Sequence, residues 1–168
     1  MIRIAGVIRE SIVDGAGLRF VVFTQGCPHN CKGCHNPQTH DPDGGYDVSV
    51  ERILEEFYKN PLLKGITISG GEPILQAKAL IPLLKDIKGG NKSVNYDVVL
   101  YTGYLVETLL KMADPVIDEL LSYCDIVIDG RFIQAEKDLT LTFRGSRNQR
   151  IIDMNKTRQT GKITLCEV

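Results

Sequence analysis

Four short apolar runs rich in β-branched residues, at 18–23, 66–69, 98–101 and 125–128, alternate with segments whose apolar residues recur at helical spacing. That alternation admits few folds. Runs of this length suit strands buried on both faces. The first helical pattern carries Val50, Ile53, Leu54 and Phe57 on one face, with Ser49 as N-cap and Pro61 just past its end. The second carries Leu75, Ala79, Leu80, Leu83, Leu84 and Ile87 and closes at Gly89-Gly90. Pro82 falls inside it and is expected to kink it or shift its start, because proline lacks the amide the ladder needs. The third divides at Asp114-Pro115, an N-cap followed by proline at the first helical position. Strands alternating with helices imply right-handed βαβ units on a parallel sheet, and a closed eightfold barrel takes about 250 residues. The expectation is an α/β fold: an open partial (β/α) barrel with about four βα units on a mostly parallel sheet. A C-terminal edge segment, with strands near 149–153 and 162–166, packs along one side.

In parallel α/β folds ligands gather beyond the carboxyl ends of the strands, and here each run ends in a polar motif. The runs lead into Thr24-Gln25-Gly26-Cys27, Ser69-Gly70-Gly71-Glu72-Pro73, Tyr101-Thr102-Gly103-Tyr104 and Asp129-Gly130-Arg131. One rim therefore collects cysteines, glycines, a carboxylate and hydroxyls, with Tyr101, Thr102, Tyr104 and Asp129 as candidate pocket residues.

Cys27, Cys31 and Cys34 lie within eight residues, and no fourth cysteine follows nearby. Closed iron–sulfur and zinc sites take four protein ligands, so three in one tight loop suggest a metal centre with a position left for a substrate or cofactor. Gly26 and Gly33 allow positive φ and close backbone approach, while Pro28 stiffens the first turn. The triplet alone also admits a structural zinc knuckle completed by His29, His35 or His40. A disulfide fits poorly, since the five cysteines are an odd count and nothing marks the chain as secreted. Paired glycines before a helix are common turns, yet Gly70-Gly71 can also bring backbone against a ligand while Glu72 meets a cationic amino group. Asp14-Gly15 reads as a hairpin turn, and residues 144–150 as a solvated basic loop or a weak phosphate patch.

The C-x-x-x-C-x-x-C spacing together with Gly-Gly-Glu resembles the radical S-adenosylmethionine superfamily. Adding Val13-Asp14-Gly15-Ala16-Gly17-Leu18-Arg19-Phe20, Tyr-Thr-Gly-Tyr, Asp-Gly-Arg-Phe and Arg144-Gly145-Ser146-Arg147-Asn148-Gln149-Arg150 narrows this over nearly the whole length. In that order the motifs resemble the glycyl-radical-enzyme activases that serve an anaerobic ribonucleoside-triphosphate reductase. The resemblance implies that Cys27, Cys31 and Cys34 ligate a [4Fe–4S] cluster, that Gly33, Cys34, His35 and Gly71 lie on bound S-adenosylmethionine, and that Glu72 holds its amino group. It implies no catalytic side chain beyond cluster and cofactor, a protein substrate that receives a glycyl radical near its C-terminus, and a low-potential electron donor. Two departures stand out. Gly33 occupies a position where many superfamily members carry an aromatic that packs on adenine, and Gly15-Ala16-Gly17 replaces the commoner Gly-Pro-Gly. Small-molecule enzymes of the superfamily, such as 7-carboxy-7-deazaguanine synthase, share the cysteine spacing, and the Arg-Gly-Ser-x-Asn-Gln-Arg stretch argues against them. A zinc-binding interaction module is the alternative outside enzymes.

At 168 residues the chain is expected to form a single domain, 1–168, with a core sufficient for folding without metal. A formal charge of −1 offers no overall attraction to nucleic acid or anionic membrane. The first ten residues lack a signal-peptide apolar block, and no apolar run reaches transmembrane length, which places the chain in the cytoplasm. Residues 131–168 hold eight Lys or Arg against four acids, a locally basic tail. Cys124 and Cys166 receive no role, and Cys124 opens an apolar strand, where a small buried thiol is unremarkable.

Overall fold

A computed structural model describes residues 1–90 and 93–167. Its strands are β1 (Ile2–Ser11), β2 (Arg19–Thr24), β3 (Tyr46–Val48), β4 (Gly65–Gly70), β5 (Asp97–Thr102), β6 (Ile126–Asp129) and β7 (Arg150–Asp153), and its helices are α1 (Val50–Tyr58), α2 (Ala77–Gly89), α3 (Val106–Lys111), α4 (Pro115–Ser122) and α5 (Met154–Thr160). One seven-stranded sheet runs β3-β1-β2-β4-β5-β6-β7. The four central strands β2, β4, β5 and β6 are parallel, while β1, β3 and β7 pair antiparallel at the flanks.

The four runs become the four parallel strands, each within about one residue of its expected bounds. Helix starts follow local capping: Ser49 Oγ accepts from the Arg52 amide at 3.1 Å, and Asp114 Oδ1 accepts from the Val116 amide at 2.9 Å. The second helix begins at Ala77, two residues later than its apolar pattern, because Pro73–Gln76 forms a 3-10 turn that leaves Leu75 exposed. Pro82 stays inside α2 and is exposed, so the ladder bond it removes lies on the solvent side.

Four elements differ from expectation. β1 and β3 extend the sheet beyond β2, and residues 162–166 form no strand, touching the sheet through a single bridge between Ile152 and Leu165. Between β7 and that bridge lies α5, started by Asp153 Oδ1 accepting from the Lys156 amide and ended by Gly161 in the left-handed region.

The helices pack on one face of the sheet. Phe20, Val22, Ile66, Ile68, Val98, Leu100, Val127 and Ile152 meet Ile53, Phe57, Leu80, Leu83, Leu84, Leu109 and Leu120 in the main core. The opposite face carries a smaller cluster of Val99, Ile128 and Ile151, with Tyr101 and Phe143 beside it. On that face Arg19 is fully buried, donating to Thr67 Oγ1 (2.8 Å) and to the carbonyls of Ile66 (2.9 Å) and Ala16 (3.0 Å), and pairing with Asp97 Oδ1 at 2.5 Å. These contacts join the segment before β2 to β4 and β5 at the amino ends of the parallel strands, opposite the polar rim.

Removing one member of a buried ion pair strands the other and its hydrogen-bond partners. Arg19→Ala is expected to lower the unfolding free energy by about 3–5 kcal/mol. Chemical denaturation of the metal-free protein checks this, and an unchanged midpoint would show that the guanidinium is dispensable.

Candidate active site

The cysteine loop is a closed excursion from the end of β2. Gly26 turns the chain with φ +100, its amide donates to the Thr39 carbonyl at 2.7 Å, and the Cys27 amide donates to His40 O at 3.2 Å. The return is a 3-10 turn at Pro37–Thr39, with buried Thr39 donating its hydroxyl to Asn36 O at 2.6 Å. Inside, Asn30 (φ 51) and Gly33 (φ 76) adopt left-handed conformations, and the Cys34 amide donates to Cys31 O at 3.2 Å. These turns set Cys27, Cys31 and Cys34, all free and half-buried, on the wall of one cavity of about 520 Å³. That volume is in the range of small-molecule sites. Burial pushes the Cys27 thiol up, the His29 amide opposes this, and the Glu72 charge adds to it. A bound cation would reverse the balance and favour thiolate.

Among the described residues, no three His, Cys, Asp or Glu side chains converge to hold a single metal ion. Three soft thiolate donors spread along a cavity wall suit a multi-iron sulfide cluster, in which each thiolate takes its own iron. Two of the three histidines proposed for a zinc knuckle have other partners: His29 lies 2.6 Å from Glu72 Oε1, and His35 packs on Phe132. His40 also lines the cavity.

The end of β4 is fastened to this loop. The Gly71 amide donates to Thr24 O at 2.9 Å and the Glu72 amide to Gly26 O at 2.8 Å. A Cβ on Gly71 would run into the Gly26 carbonyl, so glycine is required there by the cysteine loop's own backbone. Ser69, Gly70 and Gly71 line the cavity. Glu72 does not. It is fully buried behind the wall, where Oε1 accepts from His29 Nε2 (2.6 Å) and the Gly103 amide (2.7 Å), and Oε2 from the Ile74 amide (3.0 Å). The Thr102 hydroxyl lies 3.0 Å from both oxygens. Four donors occupy the carboxylate's acceptor capacity, so Glu72 joins the cysteine loop to the ends of β4 and β5.

Of the other expected residues, Cys34, His35, Tyr101 and Thr102 line the cavity, whereas Gly33, Tyr104 and Asp129 do not. Gly33 packs against Gln134, and Tyr104 meets the His29 ring edge-on at 4.6 Å. Asp129 Oδ2 accepts from the Val106 amide at 2.9 Å and from Arg150 at 2.5 Å, closing the start of α3. Tyr101 donates its hydroxyl to Phe143 O at 2.6 Å, and burial pushes its phenol well above the usual range. Cys124 is buried with its thiol pushed up to about 12 by desolvation, and lies away from the cavity lining.

Sequence reasoning placed Gly130 and Arg131 on the rim but missed that Phe132 and residues 141–145 complete a wall with them. The Arg-Gly-Ser stretch is not a free basic loop: it clasps the segment after β6. Gln149 accepts from the Gly145 and Ser146 amides (2.9 and 3.1 Å) and donates to Gly130 O (3.1 Å), Asn148 donates to Arg131 O (2.7 Å), and Ser146 Oγ accepts from the Ile133 amide (3.2 Å). The pairing of Asp-Gly-Arg-Phe with this stretch was the available signal.

The family described as "4Fe-4S single cluster domain" matches residues 13–152. An anaerobic ribonucleoside-triphosphate reductase-activating protein of Haemophilus influenzae is 34% identical over 144 residues, covering 82% of this chain and 89% of that protein. One of the same name from Enterobacteria phage T4 is 31% identical over 145 residues, covering 83% and 86%. A pyruvate formate-lyase 1-activating enzyme of Escherichia coli is 40% identical over 121 residues, covering 69% of this chain and 46% of that enzyme.

Because a side chain at position 71 must displace the loop that carries the thiols, Gly71→Ala is expected to lose most of the iron retained after anaerobic reconstitution. Iron analysis per chain checks it, and full loading would mean that the loop yields without cost.

Proposed function

The chain belongs to the 4Fe–4S single cluster domain family and, within it, to the activating proteins of anaerobic ribonucleoside-triphosphate reductase, and from that premise we propose that it generates a glycyl radical on such a reductase. One geometric observation carries the reading: three free thiols and the glycine-rich end of β4 share a single cavity at the carboxyl ends of the parallel strands. Ligands collect at that end of such sheets.

In this reading Cys27, Cys31 and Cys34 would hold a [4Fe–4S] cluster, and the cavity beside them would take S-adenosylmethionine. When bound, the pair supplies one-electron reduction and hydrogen-atom abstraction, and the protein supplies placement. Cys34 and His35 form the wall on the third-cysteine side, while Gly33 shapes the turn that presents them. Gly71, with Ser69 and Gly70, offers backbone and hydroxyl groups to the cofactor's amino-acid end. Glu72 acts from behind, holding the Gly103 amide and His29 so that the wall keeps its shape. The reacting hydrogen comes from a glycine Cα on the partner, so the cavity must admit a polypeptide segment, and its open mouth suits that entry.

The reading extends to organisation. Residues 1–168 act as one radical S-adenosylmethionine domain, the sheet serves as a partial barrel, and a low-potential donor supplies the electron. Among the described residues no helix is long and apolar enough to cross a membrane.

Cys27→Ala, Cys31→Ala and Cys34→Ala are each expected to abolish deoxyadenosine formation by anaerobically reconstituted protein, and with it the glycyl doublet in electron paramagnetic resonance when reductase, S-adenosylmethionine and reductant are mixed. Full activity in any one variant would remove that thiol from the ligand set. Deoxyadenosine without a partner signal in the unsubstituted protein would count against the reductase as substrate.

A further inference from the structure

S-adenosylmethionine presents two chemically distinct ends, an amino acid and a flat purine, and the proposed function leaves the purine without an assigned surface. Position 33, beside the third cysteine, supplies none. Gly33 is left-handed, and a Cβ there would sit 3.0 Å from the Gln134 side chain, so a larger side chain would be both strained and crowded.

A flat surface stands next to it. The rings of His35 and Phe132 lie 4.9 Å apart, tilted by 48°, and both line the cavity. Gly145 backs the pair closely: a Cβ there would lie 3.0 Å from the Phe132 ring and 3.2 Å from His35. The backbone on both sides of Phe132 is pinned by the clasp, through Arg131 O to Asn148 and the Ile133 amide to Ser146. A ring held this way loses little freedom when a ligand arrives. Arg144 lines the same cavity, and its Nε is buried without a hydrogen-bond partner among the described residues.

The position also suits a ligand that spans the rim. The amino-acid end belongs at Gly70-Gly71 after β4, and Phe132 follows β6, two strands across. Neighbouring strands lie about 4.8 Å apart, so the two ends are separated by roughly 10 Å. Tyr101, on the strand between, has its hydroxyl committed to Phe143 O.

We propose that Phe132, seated on His35, is the platform on which the adenine of S-adenosylmethionine stacks. The inference rests on the proposed use of that cofactor, and the experiment separates the two. Binding of S-adenosylmethionine, and separately of methionine, is measured on anaerobically reconstituted holoprotein with the cluster oxidised, so that no turnover intervenes. Iron content is determined for each variant.

Base–aromatic stacking predicts that Phe132→Ala weakens S-adenosylmethionine binding by roughly ten- to a hundredfold. Methionine binding and iron content stay at the unsubstituted level. Phe132→Tyr restores cofactor affinity, whereas Phe132→Leu, apolar but not flat, does not. Unchanged cofactor affinity in Phe132→Ala, full affinity in Phe132→Leu, or equal loss of methionine and cofactor in Phe132→Ala would each overturn the platform, the last by showing a merely structural residue. Failure of the unsubstituted holoprotein to bind S-adenosylmethionine would instead sink the function on which the inference stands.

Discussion

The rim depends on one buried carboxylate. Glu72 receives His29 from the cysteine loop, the Ile74 amide from the turn after β4, and the Thr102 hydroxyl and Gly103 amide from the end of β5. A carboxylate without exposure is tolerable only when donors replace its water, and here they come from three segments far apart in sequence. Losing one segment leaves the others facing an undersatisfied buried charge, so the set holds together or fails together. Gly71 and Gly103 flank this centre because there is no space for a Cβ: the Gly26 carbonyl fills it at one position and the His29 ring at the other. Hydrogen bonds thus join the cysteine loop to the ends of β4 and β5.

A second constraint is the sheet's asymmetry. Helices bury their apolar stripes on one face, and among the described residues the segment before β2 and the tail lie against the opposite face. A face left without helices needs other means to bury its polar groups. At the amino ends Arg19 provides them, bonding to Thr67 and to carbonyls of two segments; toward the carboxyl ends the cavity opens. Stability and chemistry thereby occupy opposite ends of the same strands, the usual division in parallel α/β folds.

What could be read beforehand was what local chemistry controls. Strands buried on both faces announced themselves as β-branched runs, and Ser49 and Asp114 act on amides two or three residues away. β1 was not legible because only Ile2, Ile4 and the terminal Ser11 are buried along it, so it lacks a continuous apolar signal. α5 hides for a related reason: in Met154–Thr160 only Met154 and Thr157 are buried, and its limits come from Asp153 and a left-handed Gly161. The cysteines and Gly-Gly were found on the expected rim. The direction of Glu72 was not, because its donors His29 and Thr102 lie 43 and 30 residues away. Phe132 escaped notice because side chains 13 to 19 residues downstream hold its neighbours in place.

In the basic tail, three of the cations work inside the molecule. Arg150 donates to Asp129 (3.0 Å through Nε) and to Glu107 (2.5 Å), holding the Glu107 carboxyl below its ordinary range. Arg158 donates to the carbonyls of Leu121 and Cys124 at the end of α4, and Arg144 to Gln149 O. Guanidinium groups suit this use, since their fixed fork of donors can bridge carboxylates and carbonyls that belong to different elements. Each tie fastens the last strand and helix to the edge of the parallel sheet, and that edge is where the Gln149 clasp must stand to keep the segment after β6 against the cysteine loop. Three of the tail's eight cations thus serve the third wall of the cavity and its supports, while Arg131, Lys137, Arg147, Lys156 and Lys162 lie on the exposed surface.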